Sequence, residues 1–309
     1  MACGSPKCVP RQGACEGPVK ELTTIESSGR NVARKDRGIR WENWSKKCAY
    51  SGCRTSSLKA IFNGRGIELD RDWYCSAECM ESALTQSLIN LTNASRPPET
   101  QRPARFPLGL MLFSRGSMNE EQFKVALENH RASGERIGDV ALQLGFVSEA
   151  QVAEALSAQW GYPVFSMRNA PLELPLIVPV RLMELHQMLP VQFIEDSGKL
   201  HIGFATRIEH SVLQGVEKIV GCVAAPCFVT ISEFRARMQH FPWRSGTGEF
   251  VFDYLSSPSE MAETVKDHLV RSGATGLRFA RCREYLWVRL SGLPQSIDLL
   301  FRLEPAPAQ

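Results

Sequence analysis

No uninterrupted apolar run in this 309-residue chain is long enough to cross a bilayer, which argues against membrane insertion. The opening "MACGSPKCVPRQGACEG" lacks the basic-then-apolar order of a secretory signal, so a cytoplasmic location is expected. Nowhere does G-x-x-x-x-G-K-[ST] occur, and without it no loop offers the amide cradle and lysine that phosphoryl transfer from ATP requires. A G-x-S-x-G elbow is missing too. The six histidines, His130, His186, His201, His210, His240 and His268, are scattered without ligand spacing and read as surface or helix-end residues. These absences together predict that the protein is not an enzyme. The formal net charge of +3 argues for neither a nucleic-acid binder nor a membrane-surface protein. The basic excess is local, in "RNVARKDRGIRWENWSKK", Arg30 to Lys47.

Ten cysteines are present, and in a reducing compartment their spacing reads as metal chemistry before disulfides. "CAYSGC" and "WYCSAEC" give Cys48-x4-Cys53 and Cys75-x3-Cys79, two chelating pairs flanking a stretch with hairpin character. Four thiolates in that format satisfy tetrahedral Zn²⁺. The second pair runs into "MESALTQSLINL", an amphipathic helix, and the order knuckle, hairpin, helix resembles a treble-clef finger with a "YCS-x-x-C" signature. With few other apolar residues, this segment is expected to need its metal to fold. Its helix carries no run of Arg or Lys, which favours protein docking over nucleic-acid recognition. Cys3, Cys8 and Cys15 lack a fourth partner and read as tail thiols. Cys222, Cys227 and Cys282 lie in apolar contexts that predict buried thiols.

The composition divides the chain. Residues 1–46 read as a disordered basic tail, 47–93 as the finger, and 94–105, with its prolines, as a linker. Residues 106–241 begin with helical periodicity and then alternate strands and helices. Residues 242–253 read as a second linker, and 254–309 as a helix followed by a strand pair. The expected fold class is α+β: a small zinc finger, tandem helical hairpins packed with an α/β subdomain, and a short C-terminal α/β segment.

Within the third segment the chain repeats itself. "PLGLMLFSRGSMNEEQFKVALENH", Pro107 to His130, aligns at a 29-residue offset with "RIGDVALQLGFVSEAQVAEALSAQ", Arg136 to Gln159. The offset places Leu108 on Ile137, Gly109 on Gly138 and Gly116 on Gly145. Each copy predicts a short helix stopped at its second glycine, then a second helix with a capping box, Asn119/Gln122 or Ser148/Gln151. The exposed backbone at Gly109 and Gly138 suits the close approach of a phosphate, and two such copies suit a ligand with two similar halves. Simple packing of two hairpins explains the same pattern.

The repeat resembles the tandem motif of the MshEN domain, the N-terminal domain of type II secretion and type IV pilus ATPases of the GspE and PilB kind. That motif reads R-L-G-x-x-Φ-Φ-x-x-G-Φ-Φ-x4-L-x3-L-x2-Q, with Φ aliphatic, and occurs twice around a five-residue spacer, here "RASGE", Arg131 to Glu135. The second copy keeps Arg136, Ile137, Gly138, Leu142, Gly145, Phe146, Val147, Val152, Leu156 and Gln159, with Ala141 a small deviation. In the first copy Pro107 replaces the leading Arg, Ser117 and Met118 stand at the aliphatic pair, and His130 replaces the closing Gln. Arg105 is the nearest upstream cation. The resemblance runs on to Phe241, and the tail is similar to a degenerate start of the next ATPase domain, with "GATGLRFA" and "VRLSG" in place of the usual segments.

The resemblance implies a bacterial regulatory or adaptor protein of a secretion or pilus apparatus that binds cyclic di-GMP. Gly109, Gly116, Gly138 and Gly145 would shape the backbone, Arg136 would contact guanine or phosphate, Gln159 and His130 would bond at the far ends of the repeats, and Leu108 and Ile137 would pack on the bases. The alternatives are a nucleotide-independent docking adaptor and a zinc-finger nucleic-acid binder.

Overall fold

The computed structural model describes residues 47–53, 66–93, 105–167, 178–240, 248–254 and 257–303. The basic tail with Cys3, Cys8 and Cys15, most of the first linker and the start of the second lie outside the described residues. Among the described residues no helix is long and apolar enough to cross a membrane. The fold is α+β.

A hairpin of β1 (Ile67–Leu69) and β2 (Asp72–Tyr74) leads into α1 (Ala77–Asn93). Four helices carry the duplicated region: α2 (Leu108–Ser114), α3 (Glu120–Ser133), α4 (Ile137–Gln143) and α5 (Glu149–Trp160). Then come α6 (Val180–His186), β3 (Met188–Ile194), β4 (Lys199–Phe204), α7 (His210–Val220), β5 (Val223–Phe228) and α8 (Ile231–His240). The turn between β3 and β4 is a single 3-10 turn, Glu195–Ser197, closed by left-handed Gly198. The C-terminal part comprises β6 (Glu249–Phe252), α9 (Pro258–Ser272), β7 (Gly276–Cys282), β8 (Tyr285–Ser291) and β9 (Ile297–Arg302).

Two sheets organise these elements. The smaller has the order β3-β4-β5, with β3 antiparallel and β5 parallel to β4. Residues 163–165 extend it, Phe228 donating to the Pro163 carbonyl and Phe165 to the Phe228 carbonyl. The larger sheet has the order β2-β1-β7-β8-β9-β6.

That larger sheet joins stretches that the sequence division sets apart. Glu68 and Leu69 of β1 pair in parallel with Gly276 and Leu277 of β7, so the cysteine segment and the C-terminal segment share one sheet. Met80, Leu84 and Leu88 of α1 are fully buried in one core with Met261, Ala262, Val265 and Leu269 of α9, and Lys266 donates to both carboxylate oxygens of Glu81. The finger therefore does not rely on metal alone for a core; its apolar helix face is covered by residues almost two hundred positions away. The second linker is also part strand: Glu249–Phe252 pair in parallel with Asp298–Phe301 at the sheet edge.

Alternation along the central strands explains why they read as continuous apolar runs. Leu286, Val288 and Leu290 of β8 face the α1/α9 core, whereas Tyr285 and Trp287 face the core of the repeat-bearing part. A sheet covered on both sides buries both sets. On the second face α7 lies so close that a Cβ at Gly215 would stand 2.5 Å from Cys282 Sγ. Gly215→Val is expected to lower stability by about 1–3 kcal/mol through overpacking. Gln214→Val, one residue away on the exposed side, is expected to stay within about 0.5 kcal/mol. Urea unfolding of both variants measures the contrast.

Candidate functional site

The four cysteines converge. Cys48 and Cys53 sit on a turn in which the Cys53 amide donates to the Tyr50 carbonyl, and the Ala49 amide fastens that turn to Trp73 of β2. Cys75 follows β2 and Cys79 lies in the first turn of α1, giving knuckle, hairpin and helix in treble-clef order. All four sulfurs lie within 4.8 Å of one another, with Cys53 to Cys75 at 3.6 Å and Cys75 to Cys79 at 3.8 Å. A tetrahedron of thiolates about 2.3 Å from Zn²⁺ has edges of about 3.8 Å, so the donor set fits the ion. As a thiol, Cys75 is pushed up to about 12, first by burial and then by hydrogen bonding among the neighbouring thiols. The remaining described cysteines are of a different kind: Cys227 and Cys282 are buried and burial pushes each up to about 12, while Cys222 is half-buried and also raised.

The duplicated hairpins fold as their sequence predicts. Asn119 and Ser148 are N-caps, each accepting from the amide three residues on, and Gln122 and Gln151 return the bond to the cap amides. Gly116 and Gly145 adopt φ of +72° and +68°. In the first copy Gly116 N donates to Phe113 O and Ser117 N to Leu112 O; in the second Gly145 N donates to Leu142 O and Phe146 N to Ala141 O. These are matching Schellman stops, which require the left-handed conformation that glycine adopts without strain.

The two copies then close on each other about a pseudo-two-fold relation. Ile137 of the second lies over Gly109 of the first, where a Cβ would come within 2.5 Å of its Cδ1, and Leu108 of the first lies over Gly138 of the second, at 3.0 Å. The far ends close the same way. Gln159 Nε2 donates to the Phe106 carbonyl at 2.7 Å, and His130 Nδ1 contacts the Glu135 carbonyl. Phe106 and Glu135 are themselves one 29-residue step apart, so each copy's closing residue binds the carbonyl just before the other copy's opening residue. His130 is thus a working substitute for glutamine, provided that Nδ1 carries the proton. The packing of Leu108 and Ile137 on glycine leaves each of those side chains half-buried and buries Gly109 and Gly138, so the backbone expected from the sequence to be exposed at these two positions is covered by apolar side chains instead.

The copies differ in charge. Arg136 pairs with Asp139 at 2.7 Å, whereas Pro107 and Leu110 occupy the equivalent positions. Arg105, the nearest upstream cation, stacks its guanidinium over Trp160, 3.2 Å from the ring centroid. A cleft of about 770 Å³ opens beside the second copy, between it and the α/β subdomain. Leu108, Arg136 and Gly138 line it on one side, and Arg207, Thr230 and Arg235 on the other. That volume is in the range of small-molecule sites. The sequence offered no sign of the second wall, because Arg207 and Arg235 belong to a loop and a helix that only the tertiary fold brings there. Glu149 joins the walls, accepting from Ser232 N at 2.9 Å and Ser232 Oγ at 2.7 Å. Thr230 and Glu233 form a reciprocal cap at the start of α8.

No protein-family model matches the chain. It is 26% identical over 138 residues to the type IV pilus assembly ATPase PilB of Thermus thermophilus, covering 44% of this chain and 16% of that protein. With the type IV pilus assembly ATPase PilB of Myxococcus xanthus it is 29% identical over 86 residues, 27% of this chain and 15% of that one. The chain thus spans about a sixth of the length of these relatives. Among solved structures, MshE with cdg aligns at a TM-score of 0.38 and 20% identity, covering 44% of this chain and 99% of that one. The N-terminal domain of XpsE aligns at 0.36 and 18%, covering 43% and 92%. Over somewhat less than half of its length, then, the chain is similar in sequence to type IV pilus assembly ATPases of the PilB kind, and G-x-x-x-x-G-K-[ST] does not occur in it.

Proposed function

We propose that the protein is a non-catalytic regulatory adaptor of a type II secretion or type IV pilus system in the bacterial cytoplasm, binding cyclic di-GMP through its tandem hairpins and holding a structural Zn²⁺ on Cys48, Cys53, Cys75 and Cys79. The observation that carries the nucleotide reading is the reciprocal closure of the two copies beside a ligand-sized cleft, with Arg136 at its edge. The sequence likeness to PilB supports the apparatus. Arg136 offers a planar donor fork for phosphate or guanine.

Pro107 favours a second reading, a docking adaptor without nucleotide, since it withdraws a guanidinium and a backbone donor from one half. Titration calorimetry of the full chain with cyclic di-GMP decides between the two. The nucleotide reading expects saturable heat at one ligand per chain, and at least tenfold weaker binding for Arg136→Ala, about 1.4 kcal/mol. Absence of heat with the unaltered protein leaves the docking adaptor.

A further inference from the structure

The far wall of the cleft carries cations that the repeats do not. Arg207 follows β4 and Arg235 lies on α8. The other polar groups nearby are largely committed. Asp139 is engaged by Arg136, Glu149 accepts from Ser232, and the Thr230 amide is donated to Glu233. Arg207 shares Glu209 with Arg283, so Glu209 keeps a partner if Arg207 turns away. Arg235 is exposed and makes no salt bridge among the described residues. At the lip Glu135 also lines the cleft; its carbonyl is held by His130, and its carboxylate makes no salt bridge among the described residues.

Two guanidiniums and a carboxylate lining a cleft of this size match a guanine nucleotide. Guanidinium forks take phosphate oxygens in charge-assisted bonds. A carboxylate accepts from the N1–H and N2–H₂ edge of guanine, which adenine cannot supply because its N1 is itself an acceptor. Resting on the cyclic di-GMP reading above, we infer that this cleft grips one guanylate half of the ligand, Arg207 and Arg235 joining Arg136 in holding phosphate and Glu135 reading the base, so that the α/β subdomain adds cations to the half that keeps its own. Binding then braces the hairpin pair against the α/β subdomain, and the ligand is held asymmetrically although the repeats are pseudo-symmetric.

The test uses the full chain and cyclic di-GMP, with cyclic di-AMP as the discriminating probe. Arg235→Ala is expected to weaken cyclic di-GMP binding about tenfold, as loss of a charge-assisted bond does, and the double variant with Arg207→Ala further still. Arg235→Lys recovers part of the loss. Glu135→Ala is expected to narrow the preference for cyclic di-GMP over cyclic di-AMP about tenfold. Both arginines are exposed, so these variants keep their fold, which circular dichroism verifies; Arg115→Ala, outside the cleft, keeps wild-type affinity. Wild-type affinity in the Arg207/Arg235 double variant overturns this assignment and leaves the nucleotide reading standing, whereas absence of binding to the unaltered protein overturns both.

Discussion

Replacing Cys75 with serine is expected to abolish stoichiometric zinc and to release the knuckle and hairpin from the sheet, with a stability loss of several kcal/mol. Free-standing zinc fingers owe about 10–16 kcal/mol of apparent folding energy to their metal. Here the figure is smaller, because α1 has its own buried contacts with α9 through Met80, Leu84 and Leu88. What the metal adds is the hold on residues 47–53, whose backbone is tied to the hairpin through the Ala49 to Trp73 bond, and through Cys75 the position of β2. The expected signature is therefore regional: hydrogen-exchange protection falls in β1, β2 and the knuckle before it falls in β8. Because thiols must shed protons to ligate, and Cys75 as a thiol is pushed up to about 12, metal retention weakens as pH falls. Elemental analysis of the purified protein checks the premise, and Cys222→Ser, outside the cluster, is expected to leave the metal content unchanged. A protein that carries no metal, and whose melting is indifferent to Cys75→Ser, would remove zinc from the account.

The features legible in the sequence are those encoded locally. The two capping boxes and the two Schellman stops follow from Asn119, Ser148, Gly116 and Gly145 within a few residues of each, and four cysteines in two close pairs announce their convergence by spacing. The features that escaped depend on distant chain. β1 has three residues and its pairing with β7 spans some two hundred positions, so no local pattern marks it. β6, four residues at a sheet edge, sits behind a Gly-rich stretch that reads as linker. Gly109 and Gly138 were legible as places needing no side chain, but close approach of a phosphate and close approach of Ile137 or Leu108 make the same demand on sequence. His130 read as a worn position, yet its ring reaches the carbonyl equivalent to the one Gln159 reaches.

The largest single-residue loss away from the metal is expected at Asp298, where alanine should cost about 3–5 kcal/mol. Asp298 is 7% exposed and stands opposite Arg289 across the β8–β9 ladder. Its Oδ1 accepts from Trp287 Nε1 at 2.7 Å and from Arg289 Nε at 2.8 Å, and its Oδ2 from Arg289 Nη2 at 2.7 Å. The Arg289 side chain is itself only 12% exposed and lies 5.0 Å from the centroid of the Trp287 ring. Truncation leaves a nearly buried guanidinium and a fully buried indole N–H without their acceptor, and the penalty comes from those two groups more than from the lost attraction. Asp298→Asn keeps one acceptor for Trp287 but forfeits the charge and the second bond to Arg289, so it should cost less than alanine. Since β8 and β9 contribute side chains to both cores, the loss should appear as one cooperative shift in urea unfolding, with tryptophan fluorescence and far-ultraviolet dichroism moving together. A cost below about 1 kcal/mol would place the pair with solvent-screened surface bridges, and the two faces of the sheet would then hold together by apolar packing alone.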